Sequence, residues 1–408
     1  MADSKRADVV IAGGGSAGLT AALAIKRGAP DLDVMLIDAA GVKPAGADQR
    51  ASAIAAAAKR MLETLDVWER VADEAQPINA MEITDSATGD AVRPIFLTFQ
   101  EPLSDGEPFA HMVPNGALTA ALQDASVAAG IEIVAPETVR DLTVDGSSVA
   151  LSLGSGNRVD ARLLVAADGV RSGLRGKAGI ATVSWRYKQM AIVVTVAHER
   201  PHHGVAREHF LPSGPFAILP LKGNRSSLVW TEREADAKKL LAEDEFVFQI
   251  ELERRFGHHL GELSLDGPRQ GYPLGLTLAR DFVRPHFALL GDAAHGIHPV
   301  AGQGLNLGFR DAAALAEIVV DANRLGLDIG HIETLKRYEQ WRRFDSWQMG
   351  VTTDVLNRLF SKENKMLRAA RSVGLGIVDR LPFLKQNFIK EAAGLGGELP
   401  RLMRGEAL

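Results

Sequence analysis

Hydrophobic residues in this chain come in short blocks separated by turns bearing glycine and aspartate, and the blocks predict its elements. Residues 8–12 (DVVIA) form a run rich in β-branched side chains that stops at Gly13, the pattern of a strand buried in a parallel sheet. Residues 16–27 are good helix formers, and Gly28 stands where a helix would stop. Residues 34–37 are a second apolar strand, ending at Asp38. Strand, helix and strand in this order imply a doubly wound parallel sheet with helices on its faces. Beyond it, 51–72 is alanine-rich and patterned as a helix, 78–99 is β-rich with turns, and 115–129 is helical. Residues 131–153 suggest short strands around a turn at Asp145-Gly146, and 162–167 a strand ending at Asp168-Gly169. Several apolar or alternating runs between 185 and 233 suggest a separate, largely antiparallel sheet. A buried strand returns at 287–290, a helix covers 305–320, and the rest, to Leu408, is mainly helical.

The expected fold class is α/β: a Rossmann-like nucleotide-binding domain assembled from 1–75, 106–182 and 281–345, a β-rich substrate domain from 76–105 and 183–280, and a C-terminal helical region over 346–408. The composition agrees, with 46% hydrophobic and 24% charged residues, values ordinary for a soluble globular chain. A formal charge of −5 argues against a surface built for nucleic acid. The absence of cysteine excludes disulfides, thiolate metal centres, iron–sulfur clusters and cysteine nucleophiles, and fits a reducing compartment. The first eight residues are polar, with no apolar signal core, and no run of about 18 uncharged apolar residues occurs. A cytoplasmic protein is expected, with peripheral contact at the inner face of a membrane left open.

Three motifs carry chemistry. Gly13-Gly14-Gly15-Ser16-Ala17-Gly18 fits G-x-G-x-x-G between a strand and a helix. The first glycine permits the tight turn, the second lets a pyrophosphate approach the backbone, and the third lets helix and strand pack closely. The free N–H groups at the helix start, from Ser16 and Ala17 onward, then face the phosphates. Asp38, twenty residues after Gly18, is placed to accept hydrogen bonds from an adenosine ribose. This motif alone does not separate NAD from FAD. The second motif is Gly291-Asp292-Ala293-Ala294-His295, followed by Pro299 and by Gly302-Gln303-Gly304-Leu305-Asn306 before a helix. A carboxylate at that strand end can bind the hydroxyls of a ribityl chain, and the loop brings N–H groups at a helix N-terminus to a reduced ring system. The third, Asp168-Gly169-Val170-Arg171-Ser172-Gly173-Leu174-Arg175, either orients a dinucleotide through Asp168 and Arg171 or is a strand-end turn with a helix cap.

In this order and at these separations the motifs resemble the single-component FAD-dependent aromatic hydroxylases. Asp48-Gln49-Arg50, Pro114-Asn115, Tyr187-Lys188-Gln189, Gly214-Pro215 through Pro220-Leu221 and the run 357–400 resemble the ubiquinone-biosynthesis hydroxylase branch. The resemblance implies a Rossmann-like FAD-binding domain with a β-sheet substrate domain over the flavin. It implies that Gly13, Gly15, Gly18 and Asp38 bind the ADP half of FAD, that Arg50 and Asn115 sit near the pyrophosphate or ribityl chain, and that Val139 offers backbone contacts to adenine. By the same resemblance Asp292 holds the ribityl group, and Pro299, Gly302, Gly304, Leu305 and Asn306 border the isoalloxazine. The implied reaction is hydroxylation of an aromatic ring, a polyprenylated phenol, through a flavin C4a-hydroperoxide, with O2 as oxidant and NAD(P)H as transient reductant. The alternatives are a flavin-dependent reductase of a prenyl lipid on the same frame, and a non-enzymatic flavin-bound scaffold. Two departures from the family pattern stand out. The ribose acid is Asp38 where glutamate is usual, one methylene shorter, and Ala206-Arg207-Glu208-His209-Phe210 lacks the aromatic before, and the arginine after, the glutamate.

No catalytic acid or base is singled out. His209, Phe216, Ile218 and Leu219 on the inferred sheet are candidates to line a lipophilic substrate, with ordinary core as the competing reading. His295 and His298 form H-x-x-H without cysteine or a carboxylate at ligand spacing, so no metal is expected, and His295 is expected to hydrogen-bond within its loop. The pairs His202-His203 and His258-His259 read as surface positions. Arg50 either neutralises phosphates or is a solvated surface arginine. Residues 358–390 carry eight basic residues against Glu363 and Asp379, interleaved with apolar ones, a composition suited to an anionic membrane, an acidic partner or a helix pair packed on the body.

Overall fold

The computed structural model describes residues 5–41, 48, 50–85, 95–100, 103, 106–297, 303–360 and 389–408. The chain opens with β1 (Lys5–Ala12), α1 (Ser16–Gly28) and β2 (Val34–Ile37), close to the predicted limits. Then come β3 (Ala51–Ala55), α2 (Ala56–Thr64), β4 (Gln76–Ile78), β5 (Ala80–Asp85), β6 (Ile95–Phe99) and β7 (Ala110–Pro114). Next are α3 (Asn115–Ala128), β8 (Glu132–Val134), β9 (Val139–Asp145), β10 (Ser148–Leu153), β11 (Arg158–Ala166) and the short α4 (Gly173–Lys177). The middle holds β12 (Thr182–His198), β13 (Val205–Leu211), β14 (Gly214–Leu221), β15 (Arg225–Arg233), α5 (Glu234–Ala242), α6 (Glu245–Phe256), β16 (Leu263–Leu265) and β17 (Gln270–Ala279). Last come β18 (Val283–Arg284), β19 (Phe287–Leu289), β20 (His295–Gly296), α7 (Gln303–Arg324) and α8 (Ile332–Phe360).

Three sheets organise these elements. The first runs β18-β19-β11-β1-β2-β8, with β9 and β10 folded onto β11. From β19 to β8 its strands are parallel. Val9, Val10 and Ile11 in its central strand have no exposed surface, which explains the continuous apolar run of β1. Helix α1 packs against α3 and α7, and every residue from Gly18 to Ile25 is buried. Because β1 lies between β2 and β11, the chain leaves it in both directions, and the carboxyl ends of β1, β2, β11 and β19 meet at a topological switch point.

The second sheet runs β20-β17-β12-β15-β14-β13-β5-β6, with β16 on β12. It is antiparallel apart from the β13–β5 pair. One of its faces carries Phe216, Ile218, Leu228 and Trp230, which pack with Phe248, Leu252 and Phe256 of α6. The third sheet, β3-β7-β4, is small and antiparallel.

Two sequence expectations change. The helix expected over 51–72 begins five residues late: Ala51–Ala55 is β3, paired with β7 from Ala51↔Pro114 to Ala55↔Ala110. Alanine favours a helix by only a few tenths of a kcal/mol per residue, and the tertiary pairing outweighs that preference. The last stretch, expected as mainly helical, is only partly so: residues 393–400 carry no helix, and Leu402 and Met403 belong to the same core as β1 and α1. Arg401 ties this tail to α7, with its Nη2 donating to Asp321 at 2.6 Å. Residues 361–388 of the basic stretch lie outside the described residues.

Candidate active site

A cavity of about 780 Å³ opens where the carboxyl ends of the parallel strands face the second sheet. Its first wall is the glycine turn. Gly13 has φ +125°, and a Cβ there would lie 2.2 Å from the Ala167 carbonyl oxygen, so the position accepts only glycine. A Cβ at Gly18 would lie 2.1 Å from the Gly13 oxygen, which is the close helix–strand packing expected of the third glycine. Gly15 is different: no atom lies within 4 Å of where its Cβ would stand. It caps α1 with no side-chain hydrogen bond and with no acid in the first turn. The N–H groups of Ser16, Ala17 and Gly18 have no acceptor within the helix, so the positive end of α1 faces the cavity.

Other predicted residues converge on the same space. Asp38, Arg50, Asn115, Asp292, Gly304, Leu305 and Asn306 line it with Gly15 to Gly18. Asp38 uses Oδ1 to accept from the Ala40 N–H at 2.9 Å, and its Oδ2 lies 2.2 Å from where a Gly14 Cβ would stand. Asn115 accepts from the Ser52 hydroxyl at 2.7 Å. Arg50 donates from Nε and Nη2 to Asp48 at 2.8 and 2.6 Å, and its guanidinium lies 5.2 Å from the centre of the Tyr272 ring. The Asp48 bond raises the Arg50 pKa against its partial burial. Asn306 is engaged with β3: its Nδ2 donates to Ala53 O at 2.8 Å and its Oδ1 accepts from Ala55 N–H at 2.9 Å. Pro299, Gly302 and His298 lie outside the described residues. Val139 begins β9, away from the cavity lining.

Asp292 opens to the cavity, yet it lies deep in protein mass. Burial pushes its carboxyl pKa up, with His295 opposing and Asp311 adding to the rise. Behind it is a fully buried ionic group that sequence reasoning missed. His295 Nε2 bonds Asp311 Oδ2 at 2.5 Å, and Arg342 Nε donates to Asp311 Oδ1 at 2.9 Å. The Gly291 N–H also donates to Asp311, at 3.1 Å. Burial disfavours charge on His295 and on Asp311, but their mutual attraction outweighs it: the histidine pKa is raised and the aspartate pKa lowered. This group fixes the turn that presents Asp292. Gly291 of this turn packs on Ala17 and Gly308, and the fit is tightest at Gly308, where a Cβ would come within 3.2 Å of the Ala17 Cβ.

The Asp168 motif takes its structural reading. Ser172 donates to Asp168 at 2.5 Å and accepts from the Arg175 N–H at 3.0 Å as the cap of α4. Arg175, rather than the exposed Arg171, reaches the site: it donates to the Ala293 carbonyl at 2.7 Å. His202 is a further correction. It is buried, donates from Nε2 to Leu221 O at 2.7 Å and accepts from the Gly204 N–H at 2.9 Å, whereas His203, His258 and His259 are exposed.

The facing wall corrects the substrate-lining residues. Ala206, Glu208, Pro215, Ala217, Leu219, Val229 and Thr231 of β13, β14 and β15 face the cavity. Of the four candidates only Leu219 does so. Phe216 and Ile218 point to the opposite face and into the core under α6. His209 points the same way, bonding Thr84 Oγ1 through Nδ1 at 2.7 Å and stacking on Phe216. Side chains alternate along a strand, so choosing the wrong parity exchanges lining for core. Glu208, the neighbour of His209, is the residue that reaches the cavity. It is 4% exposed, and burial pushes its carboxyl up to about 7.

The open space at Gly15, the bare helix end, the inward carboxylates and the length of the cavity fit an FAD molecule laid from Asp38 to the second sheet. Comparison with known proteins agrees. Residues 6–350 match the family described as FAD binding domain. The ubiquinone hydroxylase UbiL of Rhodospirillum rubrum is 46% identical over 99% of this chain and 94% of its own length. The 3-demethoxyubiquinol 3-hydroxylase of Escherichia coli is 34% identical over 95% of this chain and 98% of its own. The crystal structure of p-nitrophenol 4-monooxygenase PnpA from Pseudomonas putida DLL-E4 superposes with a TM-score of 0.79 at 20% identity, covering 97% of this chain and 99% of that one, a match of fold. With cradle, cavity and relatives in agreement, the chain belongs to the FAD-dependent aromatic hydroxylase family, in its ubiquinone-biosynthesis branch.

Proposed function

We propose that the chain is an FAD-dependent monooxygenase that adds oxygen to the ring of a lipophilic phenol, an intermediate of ubiquinone biosynthesis. The observation that carries this reading is one continuous cavity with a dinucleotide cradle on one side and an almost wholly apolar sheet wall on the other. Bound FAD supplies the redox chemistry, taking a hydride from NAD(P)H and activating O2. The chain does the rest. The N-terminus of α1 neutralises the pyrophosphate, Asp38 accepts from the ribose, and Arg50 and Asn115 stand beside the phosphates and ribityl chain. Asp292 accepts from the ribityl hydroxyls, and the start of α7 at Gly304, Leu305 and Asn306 borders the isoalloxazine. Ala217, Leu219 and Val229 exclude water from the ring substrate. In this division the parallel sheet holds the cofactor and the second sheet holds the substrate.

No helix among the described residues is long and apolar enough to cross a membrane. The proposed route for a lipid substrate is peripheral contact at the inner membrane face through 358–390.

The test is incubation with NAD(P)H, isotopically labelled O2 and a short-chain prenylphenol. One labelled oxygen in the ring product supports the reading. Reductant consumed to reduce the prenyl chain, without label, supports a reductase instead. Protein that stays colourless after exposure to FAD refutes both.

A further inference from the structure

Glu208 is out of place in a wall made of small and apolar side chains. It lies on β13, opposite Ala217 of β14 and Ile83 of β5. The cavity-facing neighbours on these strands and on β15 include Met81, Ala217, Leu219 and Val229, together with Thr231, whose buried hydroxyl has no partner among the described residues. Glu82 of β5 is turned the other way and pairs with Arg207 at 2.8 Å. The ionisable groups that share the cavity, Asp38, Asp48, Arg50 and Asp292, belong to the cofactor side. Among the described residues no side chain donates to Glu208, and burial alone sets its protonation. Leaving a buried carboxyl without a partner is costly, and such a group in a cleft calls for a ligand that can satisfy it.

Resting on the hydroxylase reading, we propose that Glu208 is the catalytic residue that binds the hydroxyl of the ring substrate and takes its proton. An ionised carboxylate is acceptor-only, so it matches a phenol O–H, whereas the Thr231 hydroxyl would serve as donor or acceptor without holding a proton. A phenol has a pKa of about 10 and an ordinary glutamate about 4.3. A carboxyl pushed up to about 7 stands roughly halfway, where transfer is efficient near neutral pH. The ring O–H bond breaks and a carboxyl O–H forms as the ring's electrons move to the incoming oxygen atom. When the attacked ring carbon sheds its hydrogen as a proton, Glu208 returns its own proton to the ring oxygen. NAD(P)H supplies the electron pair, and the second atom of O2 leaves as water. Only carbons ortho or para to the hydroxyl gain from this activation, so the new oxygen enters at one of them.

The test uses the FAD-loaded full chain with 2-(3-methylbut-2-enyl)phenol and its O-methyl ether, following binding through the flavin spectrum without oxygen and product by mass spectrometry. Wild type binds the phenol at least tenfold more tightly than the ether, and its kcat/KM rises with pH through a limb near 7. Glu208→Gln binds the two equally, loses the limb and loses about 100-fold or more in product, while its FAD remains bound. Glu208→Asp recovers the limb with a lower rate. Equal binding of phenol and ether by wild type, or an unchanged limb and rate in Glu208→Gln, overturns the assignment while leaving the hydroxylase reading intact. FAD-loaded wild type that oxygenates no ring substrate overturns both.

Discussion

Two glycines three residues apart test the cofactor cradle in opposite ways. At Gly18 an alanine methyl would meet the Gly13 backbone oxygen at 2.1 Å and the Ala167 Cβ at 3.2 Å. Backbone cannot swing aside, so Gly18→Ala destabilises the apoprotein by about 1–3 kcal/mol, the usual cost of overpacking. At Gly15 the methyl meets no protein atom within 4 Å, and φ −71° suits alanine. Alanine there reduces unfolded-chain entropy by about 0.4–1 kcal/mol but is a poorer helix cap than glycine. These effects oppose each other, and apoprotein stability moves by less than about 1 kcal/mol. The same methyl occupies the space of the pyrophosphate and lowers FAD affinity by about 100-fold or more, a loss of roughly 2.7 kcal/mol. Denaturant melts with and without FAD, at a concentration near 100 times the wild-type Kd, separate the cases. Wild type gains about 2.7 kcal/mol on adding FAD. Gly15→Ala melts like wild type without FAD and gains well under 1 kcal/mol with it. An equal FAD-induced gain in Gly15→Ala would refute the reasoning, because the glycine would then be serving the turn alone.

Phe216→Ala, which empties a core position under α6, costs about 3–5 kcal/mol of stability and leaves FAD affinity unchanged; Leu219→Ala, on the cavity face, lowers stability far less and raises the KM for the ring substrate. Asp311→Asn leaves His295 and Arg342 without their shared carboxylate, costs about 3–5 kcal/mol in chemical denaturation at neutral pH, and lowers the His295 pKa seen by NMR. The raised His295 pKa adds stability that is full below about 6.5 and fades as pH rises through the folded value, so the penalty of that substitution is larger at pH 6 than at pH 9. Glu208 has the opposite sign for a carboxyl: the folded value of about 7 stands above the unfolded one, so ionisation costs stability as pH rises past about 4.5, and fully so above 7. Glu208→Gln therefore stabilises the apoprotein by up to about 3 kcal/mol at pH 9 and by nothing at pH 4, as read from urea melts.

Much of the site is local and was readable from residues alone. The glycines at 13, 15 and 18, the aspartate at 38 and the strand–helix–strand around them follow one another closely along the chain, so their spacing is visible in the sequence, although the Ala167 carbonyl that keeps position 13 a glycine comes from just past the distant β11. The same holds for Asp292 at the end of a buried strand. Side-chain direction on β13 and β14 was not readable. Both faces of that sheet are covered, one by α6 and the other by the cavity, so apolar residues occupy both parities and the pattern carries no marker for which is which. Glu208 was the available signal, a carboxylate inside a buried strand, but its meaning depends on knowing that no side chain among the described residues donates to it. The His295–Asp311–Arg342 group joins the short strand β20 and two helices, and nothing in the spacing of three residues spread over 48 positions announces that they meet. Local conformational preference is written in neighbouring residues; register, burial and the pairing of charges arise only when distant segments pack, and these decided which side chains face the chemistry.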